Sequence, residues 1–207
     1  ATGHALVASR WADQALVAVP LDAGASAAGA GALPALTPPG MRYADGCVDG
    51  TVLYAVREDH TQAGEPANAI VALDLGRAGA TPDGGRVLFA GSDFVAYPRP
   101  GPDGRQLAFV AWDHPDMPWD STRLMLATIE GGSLRDPHAI AGGPGESVIE
   151  PHWDADGSLL FLSDRSGWWN LMRWRAGRIE AVTALRDDLG GPLWQLGAST
   201  FAPNSGW

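Results

Sequence analysis

The sequence predicts an all-β chain built from repeated four-stranded antiparallel sheets, and three observations carry that prediction. First, 27 glycines and 16 prolines fall in short clusters between apolar runs, which is typical of many strands joined by turns. Second, no amphipathic segment of ten or more residues has helix caps at both ends. Third, an Asp-Gly pair followed by an apolar run recurs three times, with its glycine at Gly50, Gly104 and Gly157.

The three copies align over their whole length. They read "YADGCVDGTVLYAVRED", "YPRPGPDGRQLAFVAWD" and "IEPHWDADGSLLFLSDR", and their turn glycines lie 54 and 53 residues apart. Asp-Gly suits a tight hairpin because both residues tolerate positive φ. The apolar run after each turn predicts a strand covered on both faces, at Thr51–Val56, Gln106–Ala111 and Ser158–Ser163.

Further strand-like runs bring each copy to about four strands. They are Asn68–Leu75, Arg86–Gly91, Arg123–Ile129 and Trp169–Trp174. Near the start, "ALVASRW" and "ALVAVPLD" predict the tail of an earlier unit, and the Ala-rich stretch "AGASAAGAGALPALTPPG" predicts a loop because glycine and proline interrupt it.

A repeat of about fifty residues with four strands is typical of β-propeller blades, which bury their faces by stacking on neighbouring blades. We therefore expect residues 1–207 to form a segment of a partial β-propeller. The expected division is a partial blade over 1–40, blades over about 41–94, 95–147 and 148–197, and the start of another blade over 198–207.

Composition excludes several classes of partner. The 24 acidic and 14 basic residues give a net charge of −10, which repels a nucleic-acid backbone. The single Cys47 excludes an internal disulfide.

No apolar run of about 18 residues and no signal peptide are present, so we expect no membrane span and a cytoplasmic location. The first residue is not Met, which suggests an excerpt of a longer protein, and exposed blade edges favour association into homo-oligomers.

Three blocks resemble a known family. The segments "REDHTQAGEPANAIVALDL", "YPRPGPDGRQLAFVAWDHPDMPWDSTRL" and "SDRSGWWNLMRW" are similar to the N-terminal β-propeller of the prolyl oligopeptidase family of serine peptidases, above all its bacterial acylaminoacyl-peptidase and dipeptidyl-aminopeptidase branch. The likeness extends from about Met41 to Phe201. It implies an α/β-hydrolase domain in the same parent chain, which carries the catalytic Ser, Asp and His, and a propeller that admits only short peptides and contacts their amino-terminal side.

The chain itself shows no nucleophile elbow. The segments "GGSLR", "GESVI" and "GASTF" each lack the last glycine of Gly-x-Ser-x-Gly. We therefore expect no catalytic triad here and no peptidase activity of the isolated chain. No Gly-rich segment precedes a helix, so no phosphate-binding loop and no cofactor are predicted.

The first candidate site is the segment from Arg57 to His60, which follows a predicted strand. A solvated turn with an internal ion pair is the expected interpretation. The alternative is that Glu58 or Asp59 faces the central cavity and pairs with the free α-amino group of a peptide, a charge-assisted contact.

The second candidate site is "WDHPDMPWD". Its acidic residues and His114 suggest a metal at first sight, but the two prolines and the irregular spacing align no set of ligands, so no metal is predicted. A stiff hairpin loop anchored by Trp119 is the better interpretation, with Asp113 and His114 as candidate contacts to the substrate or to the hydrolase domain.

The third candidate is the aromatic stretch "FLSDRSGWWNLMRW". Its expected role is packing, with a turn at Ser166 and Gly167 and large rings wedged between stacked blades. Substrate contact by Arg165, Trp168 and Trp169 is the alternative.

Two other function classes remain open at the level of sequence. One is a self-standing propeller used as a protein-interaction or binding scaffold. The other is a propeller lactonase with a metal bound on its axis.

Overall fold

The structure, a computed structural model, describes residues 5–21, 33–76 and 81–202, and it contains β-strands but no helix within those ranges. The strands are β1 (Ala5–Ser9), β2 (Leu16–Pro20), β3 (Met41–Asp49), β4 (Val52–Asp59), β5 (Ala67–Asp74), β6 (Arg86–Phe89), β7 (Phe94–Pro100), β8 (Gln106–Trp112), β9 (Arg123–Glu130), β10 (Ser133–Gly142), β11 (Val148–Trp153), β12 (Leu159–Ser163), β13 (Asn170–Arg175) and β14 (Arg178–Ala181).

These strands form three four-stranded sheets and one hairpin. The sheets run β3-β4-β5-β6, β7-β8-β9-β10 and β11-β12-β13-β14, and every neighbouring pair is antiparallel. Strands β1 and β2 form the hairpin. The first strand of each sheet contacts the first strand of the next, so β3, β7 and β11 lie innermost. The predicted all-β architecture of four-stranded, antiparallel propeller blades is confirmed.

The predicted hairpins lie between the first and second strands of each sheet. Gly50, Gly104 and Gly157 have φ values of 56°, 66° and 79°, the left-handed region that glycine adopts without strain. The strand that follows each turn is buried on both faces, and Phe109 and Phe161 are fully buried within two of them. The apolar runs after Asp-Gly were therefore read correctly as central strands.

Part of the predicted loop and of the predicted fourth copy lies outside the described residues. In the Ala-rich stretch, residues 33–40 are described, and they contain only an isolated bridge between Val17 and Ala35. In "FAPNSGW", Phe201 and Ala202 are described and lie in no strand.

The apolar core lies between the sheets. Tyr54, Val56, Val95 and Phe109 pack the first sheet against the second. A larger cluster packs the second against the third, and a smaller one packs the β1-β2 hairpin against the first sheet. The irregular segment after β14 passes back across the interfaces between the sheets. Its Leu196 packs against the cluster between the first and second sheets and against the cluster between the second and third.

Each innermost strand carries a β-bulge at the same place. The register shifts after Ala44, Ala96 and Ile149, where the next residue adopts a left-handed conformation: Asp45 (φ 52°), Tyr97 (φ 53°) and Glu150 (φ 54°). Such bulges bend a strand and re-aim its side chains.

Two of these bulges link neighbouring parts of the chain through a carboxylate. The Asp45 carboxylate accepts the backbone N–H of Tyr97 (2.5 Å) and pairs with Nη2 of Arg99 (2.8 Å). The buried Glu150 carboxylate accepts the backbone N–H of Thr200 (2.6 Å) and also contacts its hydroxyl. The innermost strands β3 and β11 are thus held to neighbouring parts of the chain by specific polar contacts as well as by apolar packing.

Candidate substrate cleft between the first two sheets

Strand β4 directs its last residues to opposite faces. Tyr54 and Val56 pack toward the second sheet, while Leu53 and Ala55 pack toward the β1-β2 hairpin. By alternation Glu58 points to the side of the second sheet and Arg57 to the other. Hence these neighbouring charges belong to different surfaces.

Arg57 is occupied inside the first sheet. Its Nη1 donates to the carbonyl oxygens of Asp83 (3.3 Å) and Gly85 (3.4 Å), and the residue is buried. Among the described residues its Nε has no hydrogen-bond partner. Arg57 therefore supports the loop between β5 and β6 and does not pair with Glu58. Arg42 lies opposite Glu58 in the β3–β4 register.

Glu58 lies at the rim of a cleft with one carboxylate oxygen available. Its Oε2 contacts Nε2 of His60 at 3.0 Å, and no described residue donates a hydrogen bond to Oε1. In the β4–β5 register Glu58 faces Asn68, whose Nδ2 donates to the Asp93 carbonyl oxygen at 2.8 Å. The contact with His60 thus occupies one carboxylate oxygen of Glu58 and leaves the other without a hydrogen bond from the described residues.

Asp59 serves the turn after β4. Its Oδ1 accepts the backbone N–H (2.9 Å) and the hydroxyl (2.6 Å) of Thr61. These two hydrogen bonds, that of the hydroxyl first, hold the pKa of Asp59 below its usual value. Of the two predicted carboxylates, Glu58 is the one that lines the cleft.

The loop between β8 and β9 is tied to the turn between β6 and β7. Asp93 accepts the backbone N–H of His114 (2.9 Å) and contacts its ring Nδ1 (3.0 Å), while Asp113 accepts the backbone N–H of Asp93 (2.8 Å) and pairs with Arg123 (2.5 Å). The backbone hydrogen bond from His114, followed by that of its ring, lowers the pKa of Asp93. Asp113 is therefore committed to the scaffold, and His114 is held in place.

Two aromatic pairs line the cleft. Phe94 stacks on Trp112, with ring centroids 5.3 Å apart and planes 16° apart, and its other contact is the His114 ring at 4.9 Å. Trp119 contacts Trp194, with centroids 4.4 Å apart and planes 40° apart. Trp119 is half-buried.

The cleft has a volume of about 300 Å³, and both predicted sites contribute to it. An adjoining, larger cleft of about 550 Å³ shares Glu58 and His114 with it. The structure therefore brings the segments 57–60 and 112–120 together at one rim. The smaller cleft is lined, among others, by Glu58, Phe94, Trp112, His114, Trp119 and Trp194.

The sequence did not indicate several of the cleft residues, among them Asn68, Phe94 and Trp194. Asn68 begins a predicted strand, Phe94 lies outside the predicted strands, and Trp194 lies in the irregular segment after β14. Trp194 is 74% exposed although it is the largest type of side chain, and an isolated tryptophan in a segment without periodicity carries no signal of its position.

The third candidate stretch lies away from this cleft. Arg165 pairs with Glu146 through Nη2 (2.8 Å) and Nε (3.0 Å), and Asp164 accepts the backbone N–H of Ser147 (2.8 Å). Burial raises the pKa of Asp164. Trp169 is buried in the core cluster of the second and third sheets, whereas Trp168 is 40% exposed. Neither tryptophan nor Arg165 lines the cleft.

A bound metal ion or a membrane-spanning helix would each indicate a different class of protein. Within the described ranges, no three His, Cys, Asp or Glu side chains are grouped so that they would hold a metal ion. No helix there is long and apolar enough to cross a membrane.

Stacked four-stranded meanders with their first strands innermost define an arc of a β-propeller. The chain resembles a puromycin-hydrolysing peptidase of Mycobacterium tuberculosis with a TM-score of 0.83 and 37% identity, over 95% of this chain and 31% of the peptidase. It resembles a puromycin hydrolase with a TM-score of 0.87 and 34% identity, over 97% of this chain and 32% of the hydrolase. No family model and no curated protein matches it.

The resemblance to the propeller of the prolyl oligopeptidase family is confirmed, because solved structures of such peptidases match nearly the whole of this chain. The chain spans about a third of the length of the peptidases it matches. A more distant likeness, to an oligogalacturonate lyase in complex with manganese (17% identity, TM-score 0.56, over 84% of this chain and 48% of the lyase), reflects the fold alone.

Proposed function

We propose that this chain is the non-catalytic propeller cap of a serine peptidase of acylaminoacyl or dipeptidyl-aminopeptidase type. In this proposal the cap limits access to short substrates, and in the dipeptidyl-aminopeptidase type, whose substrates carry a free α-amine, Glu58 receives that amine. The single observation that supports it most is the Glu58 carboxylate at the rim of an aromatic cleft, with one oxygen unused by the described residues.

The electrostatics of the cleft favour a cation. Glu58 and Asp116 both line it, and Arg57 is turned to the opposite face of the first sheet. A protonated amine donates charge-assisted hydrogen bonds to a carboxylate, and these strengthen when the pair is partly removed from water. His60 already donates to Oε2, so an incoming amine would bind at Oε1.

The chemistry would be supplied by an α/β-hydrolase domain of the same parent chain. The relatives are described as puromycin-hydrolysing, and puromycin is an aminoacyl amide with a free α-amine. We extend that substrate class, amides of amino acids and short peptides with a free amino terminus, to the parent of this chain. The division into blades, the cytoplasmic location and homo-oligomers remain predictions.

The experiment compares Glu58→Gln with wild type in the complete peptidase polypeptide. A hydrogen bond to a charged group contributes about 1.5–3 kcal/mol, so kcat/KM for a free-amine aminoacyl anilide should fall about ten- to a hundredfold. The same anilide with an acetylated amine should be affected less than about twofold. Glu130→Gln, at an exposed pair near the β9–β10 turn, is the matched control.

An equal fall for both substrates, or no fall for either, would contradict the role of Glu58. The isolated chain is expected to release no anilide at all, and measurable turnover by it would contradict a non-catalytic cap. A self-standing binding scaffold and a metal-dependent lactonase are the other classes that the fold permits, and no specific contact of the described residues favours either.

A further inference from the structure

We infer that the groove along β1 is an acceptor site for one extended β-strand, and that this strand is the segment of the parent chain that directly precedes β1. The strand completes a further blade, in which β1 and β2 are the second and third strands. The inference concerns the side of the arc that carries the β1-β2 hairpin, and it does not rest on the role proposed for Glu58.

The β1-β2 hairpin has the place of the second and third strands of a blade. In the first sheet, the loop between the second and third strands follows Glu58 and Asp59, at the end where β3 begins. The β1–β2 turn lies at that same end, because the hydroxyl of Ser9, the last residue of β1, donates to the carbonyl oxygen of Tyr43 near the start of β3 (3.3 Å).

The outer side of this hairpin also follows the pattern of a blade. An isolated bridge joins Val17 of β2 to Ala35, on the side where the three sheets have their fourth strand. The backbone N–H of Leu36 donates to the carbonyl oxygen of Leu16 (2.7 Å). The second, third and fourth positions of a blade are therefore represented.

Strand β1 differs from its counterparts in having a free edge. Strands β4, β8 and β12 each pair on both sides, whereas β1 pairs only with β2 within the described part of the chain. The second residue of all four strands is a leucine. Leu53, Leu107 and Leu160 are 4%, 0% and 7% exposed, but Leu6 is 55% exposed. A leucine that is buried in each complete sheet is thus uncovered in the hairpin.

A groove of about 630 Å³ lies along this edge. It is lined by all five residues of β1, by apolar side chains of β2 and β4, and by Ala44, Asp45, Gly46 and Val48 of β3. At about 3.4 Å per residue, β1 offers an edge of about 17 Å, the length of an ordinary strand. Neighbouring innermost strands contact each other, as β3 contacts β7, so a strand in the groove would contact β3 in the same way.

The backbone of β1 supplies donors for such a strand. Beyond the last register pair of the hairpin, the N–H of Arg10 donates to the carbonyl oxygen of Ala15 (2.8 Å). Hydrogen-bonded and non-hydrogen-bonded pairs alternate along an antiparallel ladder, so Leu6 and Ala8 bond to β2. The N–H groups that point to the free edge are those of Val7 and Ser9. Such an edge is a template for one more strand.

The repeat identifies the occupant. In each of the three sheets the innermost strand directly precedes the second strand, across a short turn at 50–51, 101–105 or 154–158. In the sequence, Gly3 stands two residues before β1, the spacing that Gly50, Gly104 and Gly157 have to β4, β8 and β12. The chain covers about a third of the peptidases it matches, so the parent polypeptide has further segments. A strand continuous with β1 therefore fits the groove best.

The test compares amide hydrogen exchange in β1 between this chain and the complete peptidase polypeptide, without any substitution. In this chain the N–H groups of Val7 and Ser9 should exchange about tenfold faster than those of Leu6 and Ala8. The latter two are the matched control, because they bond to β2 in both proteins. In the complete polypeptide all four should exchange within about twofold of one another. An unchanged ratio would overturn the acceptor site.

A deletion identifies the source of the strand. Removing the residues that precede Ala1 from the complete polypeptide should restore fast exchange at Val7 and Ser9, while the N–H of Phe109 in β8 stays protected and shows that the sheets remain folded. Continued protection after the deletion would overturn the proposed occupant in favour of another part of the parent chain. Protection that rises with the concentration of this chain alone would overturn it in favour of a second copy.

Discussion

The Asp45 carboxylate is expected to be the strongest single polar contact between the first two sheets. Its side chain is 2% exposed and that of its partner Arg99 is 16% exposed, so neither is well hydrated. Asp45→Asn removes the charge, keeps the shape, and keeps a residue that tolerates the left-handed backbone at φ 52°. The Asn oxygen can still accept the Tyr97 N–H, so the change isolates the ion pair.

The magnitude follows from the burial of the partner. Removing one member of a buried ion pair costs about 3–5 kcal/mol because the other charge is left uncompensated. Arg99 keeps some contact with water, so we expect the lower value, about 3 kcal/mol. For a chain of this size, that corresponds to a fall in Tm of roughly 6–12 °C.

The assay is urea denaturation at pH 7 followed by tryptophan fluorescence, with the midpoint and slope fitted together. Glu130→Gln is the control, because the Glu130–Arg135 pair is exposed and its N–O distance is 3.7 Å; it should change the free energy of unfolding by less than about 0.5 kcal/mol. If Asp45→Asn costs no more than this control, the carboxylate does not hold the sheets together.

Two further predictions concern the backbone and pH. In thermal unfolding, Gly142→Ala should destabilise the chain by at least about 1 kcal/mol more than Gly167→Ala. Both glycines have φ near 80°, so the backbone strain of the two substitutions is similar. Only at Gly142 would the added Cβ clash with the carbonyl oxygen of Thr122. Burial, and to a smaller extent the charge of Arg99, lowers the pKa of His152. The unfolded state therefore binds the proton more tightly than the folded state, and the free energy of unfolding should fall as the pH drops from about 6.5. His152→Gln should flatten the stability curve between pH 7 and 5, and an unchanged slope would contradict this.

The sequence predicted the central strands of each sheet because burial on both faces demands continuous apolar runs. It did not delimit β3, β10 or β14, whose residues are largely exposed and carry no apolar period. Nor did it indicate the bulges at Asp45, Tyr97 and Glu150, because a left-handed residue within a strand depends on contacts made across sheets.

Only the two rim segments of the candidate site could be predicted from the sequence, because the rest of the site depends on contacts between sheets. Charged and aromatic residues at the ends of β4 and β8 marked both rim segments, because such groups are not needed to form a strand. Their meeting at one cleft depends on how the first two sheets pack. The contribution of Trp194 depends on the irregular segment after β14, whose path is set by Leu193 and Leu196 packing against distant sheets.

The central claim, a carboxylate that selects free amines at the rim of the cleft, is tested most directly without any substitution. Isothermal titration of this chain with phenylalaninamide and with N-acetylphenylalaninamide compares a charged amine with a neutral, acetylated one on the same side chain. We predict saturable binding of the free amine and a loss of about tenfold or more in affinity on acetylation. Equal affinity for the two ligands would contradict the account.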